Sequence, residues 1–201
     1  MRLIIASNNA HKITEIKAIL GKFFSEVLSL REAEINHETV EDGTTFFENA
    51  YKKAREIAEL TGDYALADDS GICADALDGA PGIHSARFCG HHGDDEANNQ
   101  LLLKLLRDKE NKAAHYVCSI ALVAPDGRVY KAEDYMHGEI TENRAGEGGF
   151  GYDPYFYLPD LGCTAAELTS EQKNAISHRG NALRKLMKIL EDDEDFATNI
   201  G

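Results

Sequence analysis

Basic charge is scarce in this sequence: 21 Lys and Arg stand against 35 Asp and Glu, a formal balance of −14. A field of that sign repels a polyanion, and no long basic stripe offsets it, so a nucleic-acid-binding role is disfavoured. Long hydrophobic runs are also missing, and none approaches the length that spans a bilayer. The opening Met1-Arg2-Leu3-Ile4-Ile5 passes straight into strand-like sequence with no signal-peptide pattern. The expectation is therefore a cytosolic protein with no membrane partner. Cysteine pairing is equally unsupported: Cys73, Cys89, Cys118 and Cys163 are widely spaced with no CxxC, which reads as reduced thiols rather than a disulfide framework or a zinc site. No internal repeat, low-complexity tract or linker divides the chain, so residues 1–201 read as a single domain, with two lobes as an option.

What is present is an ordinary globular composition, 43% apolar and 28% charged. Part of the acidic excess lies in Glu191-Asp192-Asp193-Glu194-Asp195, which reads as a solvated terminal segment. A global negative field does not exclude a small anionic substrate, because local Lys and Arg with divalent cations can hold one.

Periodicity predicts strands over 2–7, 26–30, 64–67, 116–124 and 129–136, the last two joined by the Pro125-Asp126-Gly127-Arg128 turn. Helices are predicted over 11–20, 45–60, 94–106, 170–176 and 178–190, with Thr45 and Glu48 placed as a capping box. The pattern is mixed α/β with an antiparallel hairpin in its middle.

Four stretches carry chemistry. Asp68-Asp69-Ser70-Gly71 places two acids after the apolar run Tyr64-Ala65-Leu66-Ala67, with Gly71 free to turn sharply. Carboxylates at the end of a buried strand need a metal, a basic side chain or helix amides; a solvated turn is the plainer alternative. Ser7-Asn8-Asn9-Ala10-His11-Lys12 is a polar turn from strand into helix, suited to an anion at the amides and to a phosphate at Lys12. It lacks the glycines of a P-loop, and an ordinary Asn-capped helix start fits it as well. Glu38, Glu41 and Asp42 precede the helix that carries Lys52 and Lys53. Glu41 with Asp69 would suit magnesium, which takes one or two carboxylates plus phosphate oxygens and water. Either lysine could reach a phosphate or lie on a solvated face.

Gly148-Gly149-Phe150-Gly151-Tyr152-Asp153-Pro154 lets a backbone approach a ligand closely and leaves Phe150 to stack, with an aromatic core anchor as the alternative. Ser177-His178-Arg179-Gly180 follows Lys173 at a helix start, and its neutral histidine and planar Arg fork suit a carbonyl-bearing heterocycle, with a capped-turn or core histidine as the alternative for His178. His91-His92 with Asp94-Asp95 matches no standard metal spacing and reads as a solvated loop.

In this order the segments SNNAHK (7–12), EDGTTFFENA (41–50), ADDSGICADALDGAPGIHSARF (67–88), GEGGFGYDPYF (146–156), TAAEL (164–168) and SHRGNAL (177–183) resemble the inosine triphosphate pyrophosphatases. Many members have Thr-Gly-Asn where this chain has Ser7-Asn8-Asn9, and residues 89–145 match weakly. The resemblance implies an elongated α/β mixed-sheet fold with two lobes and a central substrate cleft, and a homodimer. It also implies magnesium-dependent cleavage of ITP, dITP or XTP to the monophosphate and pyrophosphate. Carried over residue by residue, Asp69 is the catalytic base and, with Glu41, the metal ligand. Ser7, Asn8, Asn9, Ala10, His11, Lys12, Lys53 and Ser70 line the polyphosphate. Phe150, Gly151, Tyr152, Asp153, Lys173, His178 and Arg179 line the nucleoside. On this reading a divalent ion relieves repulsion between the neighbours Asp68 and Asp69. The alternatives are a Maf-like pyrophosphatase of other specificity and a nucleotide sensor without chemistry.

Overall fold

The computed structural model describes residues 1–198. Its chain forms two compact units: Met1–Asp69 with Cys118–Asp134 and Gly180–Gly201, and Ser70–Val117 with Tyr135–Arg179. The backbone passes from one to the other four times, after Asp69, Val117, Asp134 and Arg179.

The first unit is built on β1 (Arg2–Ile5), which lies parallel to β2 (Glu26–Ser29) and to the opening of β3 (Tyr64–Ala74). Leu3, Ile4 and Ile5 have no exposed surface, as a strand covered on both faces requires. Leu3 and Ile5 join one apolar cluster with Ile16 and Leu20 of α1 (Ala10–Leu20) and with Leu183, Leu186 and Leu190 of α5 (His178–Asp192). Ile4 joins the other with Ala50, Ala54 and Ile57 of α2 (Phe46–Thr61). The parts of β4 (Ala113–Val123) and β5 (Val129–Ile140) in this unit continue the sheet order β2-β1-β3-β4-β5.

The acidic stretch at 191–195 is not simply solvated. Asp193 accepts from the Tyr130 hydroxyl at 2.8 Å, and the Arg128 guanidinium lies 3.3 Å from Asp195. The short α6 (Glu194–Thr198) seats Phe196 with no exposed surface against Phe23, Phe24, Tyr64 and Tyr130. Burying a Phe contributes about 2–3 kcal/mol, more than the few tenths that surface charges exert on one another, so the aromatic anchor decides the conformation of this segment.

In the second unit the order is β3-β4-β5-β6-β7, with β6 (Phe156–Leu158) and β7 (Cys163–Thr164) antiparallel to their neighbours. Leu102 and Leu106 of α3 (Asp95–Leu106) pack in one cluster with Ile72, Tyr116, Met136, Tyr152 and Phe156. The remaining helix, α4 (Ser170–Ile176), carries a complete capping box between Thr169 and Gln172.

The expected turn at Gly71 does not occur. β3 continues to Ala74, so both aspartates sit inside an eleven-residue strand. The mixed α/β class holds, and Thr45 caps α2 as predicted, accepting from Glu48 N. Glu48 itself reaches back to Thr44 N at 2.6 Å.

Candidate active site

Strand geometry separates the paired acids. Tyr64 and Leu66 face the α1/α5 cluster, whereas Ala65 and Ala67 face α2. Continued alternation sends Asp68 to the first face and Asp69 to the second. The contacts agree. Asp68 Oδ2 is 2.9 Å from Lys12 Nζ and 3.8 Å from Cys118 Sγ, while Asp69 Oδ2 accepts from Asn49 Nδ2 of α2 at 3.1 Å. The pleat therefore turns the neighbouring carboxylates to opposite faces, and the charge of Lys12, in contact with Asp68, also favours the ionised form of Asp69.

The Asp69 side is the reactive one. Lys53 Nζ stands 3.2 Å from Glu41 Oε1 and 3.9 Å from Asp69 Oδ1, so one ammonium holds two acids together. Burial raises the proton affinity of Asp69 above that of an ordinary aspartate; Lys53 lowers it, and the charge of Glu41 raises it again. Two carboxylates that repel across a single lysine are a hard-oxygen donor set that a divalent ion would stabilise. Among the described residues no group of three His, Cys, Asp or Glu could cage a metal. Magnesium fits such a two-acid site, because it keeps most of its positions for water and phosphate oxygens.

Glu41 lies in a segment without regular secondary structure that side chains of α2 tie down. Asn49 Oδ1 accepts from Gly43 N at 2.8 Å, Lys52 Nζ reaches Asp42 at 2.7 Å, and Glu56 accepts from the Thr39 hydroxyl at 2.6 Å and lies 2.8 Å from His37 Nε2. Lys52 is thus engaged with Asp42, and Lys53 is the one at the paired acids. Beside them is a cavity of about 170 Å³, walled by Glu41, Lys53, His37 and Thr39 over Ala6, Leu30 and Ile57.

Asn49 was not singled out from the sequence. It is 1% exposed and joins Asp69 to the Glu41 segment with both ends of its amide. Its signal was a polar residue among the buried positions of an otherwise apolar helix face. Gly43 is fitted to it: a Cβ there would lie 2.7 Å from Asn49 Oδ1 and 2.9 Å from Glu48 Cβ. Gly43→Ala is accordingly expected to destabilise the fold by about 1–3 kcal/mol, read as a lower urea midpoint at unchanged slope.

At the other turn, Asn9 caps α1, its Oδ1 accepting from His11 N at 3.0 Å and Lys12 N at 3.2 Å, while Asn9 N donates to Ser7 Oγ. The Asn-capped alternative is thus present, and an anion would compete with Asn9 for those two amides. Asn8, Ala10 and His11 lie exposed on the same turn, and Ser70 follows Asp69 in β3.

The second group of candidate residues assembles around a buried carboxylate. Asp153 is 2% exposed. Its Oδ2 accepts from Phe150 N at 2.8 Å and meets Lys173 Nζ at 2.5 Å, and its Oδ1 takes the Tyr116 hydroxyl at 3.3 Å. Burial first, and Asp153 second, hold Tyr116 neutral as a donor. Lys173 Nζ lies 4.7 Å from the centre of the Phe150 ring and Arg179 Cζ 6.0 Å from it. His178 stacks on Tyr116 at 4.8 Å and 8°. Gly151 adopts a left-handed φ of +64°, and the Tyr152 hydroxyl donates to Ser85 O at 2.8 Å. The structure thus brings Phe150, Asp153, Lys173 and Arg179 together, with His178 alongside through Tyr116.

The family model described as the Ham1 family matches residues 3–189. A dITP/XTP pyrophosphatase of Desulforamulus reducens is 50% identical over 192 residues, covering 94% of this chain and 96% of that one. The Ham1 protein of Staphylococcus aureus superposes with a TM-score of 0.87 at 41% identity, covering 95% of this chain and 98% of that one. A HAM1 protein from Coxiella burnetii gives 0.88 at 38% identity, with 96% and 100% covered.

Proposed function

The chain belongs to the Ham1 family, and on that premise we propose that it hydrolyses non-canonical purine nucleoside triphosphates (ITP, dITP and XTP) to the monophosphate and pyrophosphate. The observation that carries this reading is the Glu41–Lys53–Asp69 group, in which a desolvated carboxylate of raised proton affinity faces a lysine and a second acid.

Water attacks the α-phosphorus, the bond from that phosphorus to the bridging oxygen breaks, and pyrophosphate leaves. Asp69 takes the proton of the attacking water, a role favoured by its raised affinity and by Asn49, which fixes one carboxylate oxygen in place. Lys53 and Lys12, with Ser7, Asn8, Asn9, Ala10, His11 and Ser70, hold the polyphosphate and offset its charge. Magnesium on Glu41 and Asp69 would supply charge neutralisation at the phosphates and a more acidic bound water. Phe150 stacks on the base, and Gly151, Tyr152 and Asp153 line it. Arg179 or His178 supplies the donors that pair with a 6-oxo group, and Lys173 lines the same side. Adenine presents the reverse pattern and would leave those donors unsatisfied, a mismatch worth about 10⁴-fold in discrimination. Guanine shares the 6-oxo group, so its exclusion acts elsewhere on the ring.

The whole chain acts as one catalytic domain, a reading supported by the four backbone passages between its units. A cytosolic homodimer is the form we infer from the family resemblance. Among the described residues no helix is long and apolar enough to cross a membrane.

Product analysis tests the reaction. ITP with magnesium should yield equimolar IMP and pyrophosphate, ATP should be turned over far more slowly, and EDTA should stop turnover. Orthophosphate as the primary product, or preference for dTTP and UTP in a substrate panel, would overturn the reading. Nucleotide binding without turnover would point to a sensor.

A further inference from the structure

The acidic start of α3 reads from the sequence as part of a solvated loop, yet the first turns of this helix make two directed bonds into the glycine-rich segment beside Phe150, one from Asp95 and one from Asn99. Asp94 is the helix cap, its Oδ1 accepting from Ala97 N at 3.1 Å. Asp95 does something different: its Oδ2 accepts from Gly151 N at 2.8 Å. One helical turn on, Asn99 Nδ2 donates to Gly151 O at 2.9 Å and to Asp95 O at the same distance. Both main-chain groups of Gly151 are therefore held by side chains spaced i, i+4, which project from one face of a helix.

Three further observations bear on this contact. Gly151 sits at φ +64° with nothing within 4 Å of a Cβ built on it, so the conformation, not crowding, calls for glycine there. Both partners of Asn99 Nδ2 are carbonyl oxygens, which fixes which end of the amide is nitrogen. Asn99 is 3% exposed, and its Oδ1 has no hydrogen-bond partner among the described residues. A buried acceptor left unmatched is costly, and the orientation that strands it is the one that reaches Gly151.

We propose that Asp95 and Asn99 are positioning residues for nucleobase recognition: they hold the Gly151 peptide and through it seat the neighbouring Phe150 ring for stacking. This rests on the base-lining role proposed for Phe150. Neither residue touches the reacting phosphate, so their effect falls on binding of the base and leaves the chemical step alone.

The test compares two ligands that need no turnover, IMP, which carries the base, and inorganic pyrophosphate, which does not. Affinities are measured by calorimetry alongside KM and kcat for ITP. Asp95→Ala and Asn99→Ala are each expected to weaken IMP and raise KM by about fivefold or more, with pyrophosphate affinity and kcat within about twofold of wild type. Asp95→Asn keeps an oxygen for Gly151 N and should stay near wild type. Asp95 is exposed, so its variants fold even if Asn99→Ala does not. Unchanged IMP affinity in Asp95→Ala, equal losses of IMP and pyrophosphate, or Asp95→Asn as poor as Asp95→Ala would each overturn the proposal. Failure of the wild type to cleave ITP would instead overturn the catalytic reading, and the IMP series would still decide this one.

Discussion

Asparagine in place of Asp69 is expected to end turnover and at the same time make the protein more heat-resistant. The first effect follows from the loss of the base, worth about 10²–10⁴ in kcat. The second follows from linkage. Burial raises the pKa of Asp69 above its unfolded value, so the stability that its protonated form supplies is present below the unfolded pKa and lost as pH rises through the folded one. At neutral pH the folded chain therefore carries a desolvated charge that the amide removes. In Asp69→Asn the new amide oxygen can still accept from Asn49, and Lys53 keeps Glu41 at 3.2 Å. In EDTA at neutral pH the midpoint should rise by about 2–4 °C, the equivalent of roughly 1 kcal/mol at this chain length. The gain should shrink as the pH is lowered into the carboxylate range. A variant that melts below wild type at neutral pH would show that the Lys53 and Asn49 contacts outweigh desolvation.

Lys12→Met is expected to have the opposite effect on stability. Asp68 has 1% of its side chain exposed, and the Lys12 ammonium lies 2.9 Å from it. Removing one partner of a buried pair is costly because the other charge stays in place, and about 2–4 kcal/mol should be lost. Urea unfolding of Lys12→Met, Asp68→Asn and the double variant checks this. The double variant should recover most of the loss, since neutralising both partners removes the buried charge together with its counter-ion. It should not recover turnover, because the phosphate would still lack the ammonium. If Lys12→Met unfolds at the wild-type urea concentration, the pair is not the stabilising contact inferred here.

The two effects share one cause, the pleat of β3. Asp68 and Asp69 are adjacent in sequence, and from sequence they read as a pair in one environment. Side chains in a strand alternate, so one acid meets Lys12 of α1 and the other meets α2 with Asn49, Lys53 and Glu41. The apolar run 64–67 was legible as a strand, but its continuation through two acids and a glycine was not. Charge and glycine normally end a buried strand, and only the partners on each face let β3 continue to Ala74. Asn49 and Asn99 escaped notice for a related reason: an amide inside a helix has value only through main-chain atoms that the fold brings to it, Gly43 N and Gly151 O. Phe196 was hidden among five acids because its aromatic partners lie far away along the chain.

Local chemistry by itself determined a good deal. The apolar periodicity marked the five longer helices and part or all of β1 to β5 but not the short β6, β7 and α6, Asn9 and Thr45 marked helix starts, and the glycines around Phe150 marked a loop. Each of these depends on a residue and its near neighbours, for which spacing is sufficient information. Tertiary structure alone decided which charge meets which. It placed Lys53 across Glu41 and Asp69, gave Lys12 to Asp68, and spent Asp153 on Phe150 N, Lys173 and Tyr116. The balance between burial and neighbouring charge that sets the proton affinity of Asp69 exists only once those groups are in place, because desolvation and Coulomb energy depend on distance in space and not on separation along the chain.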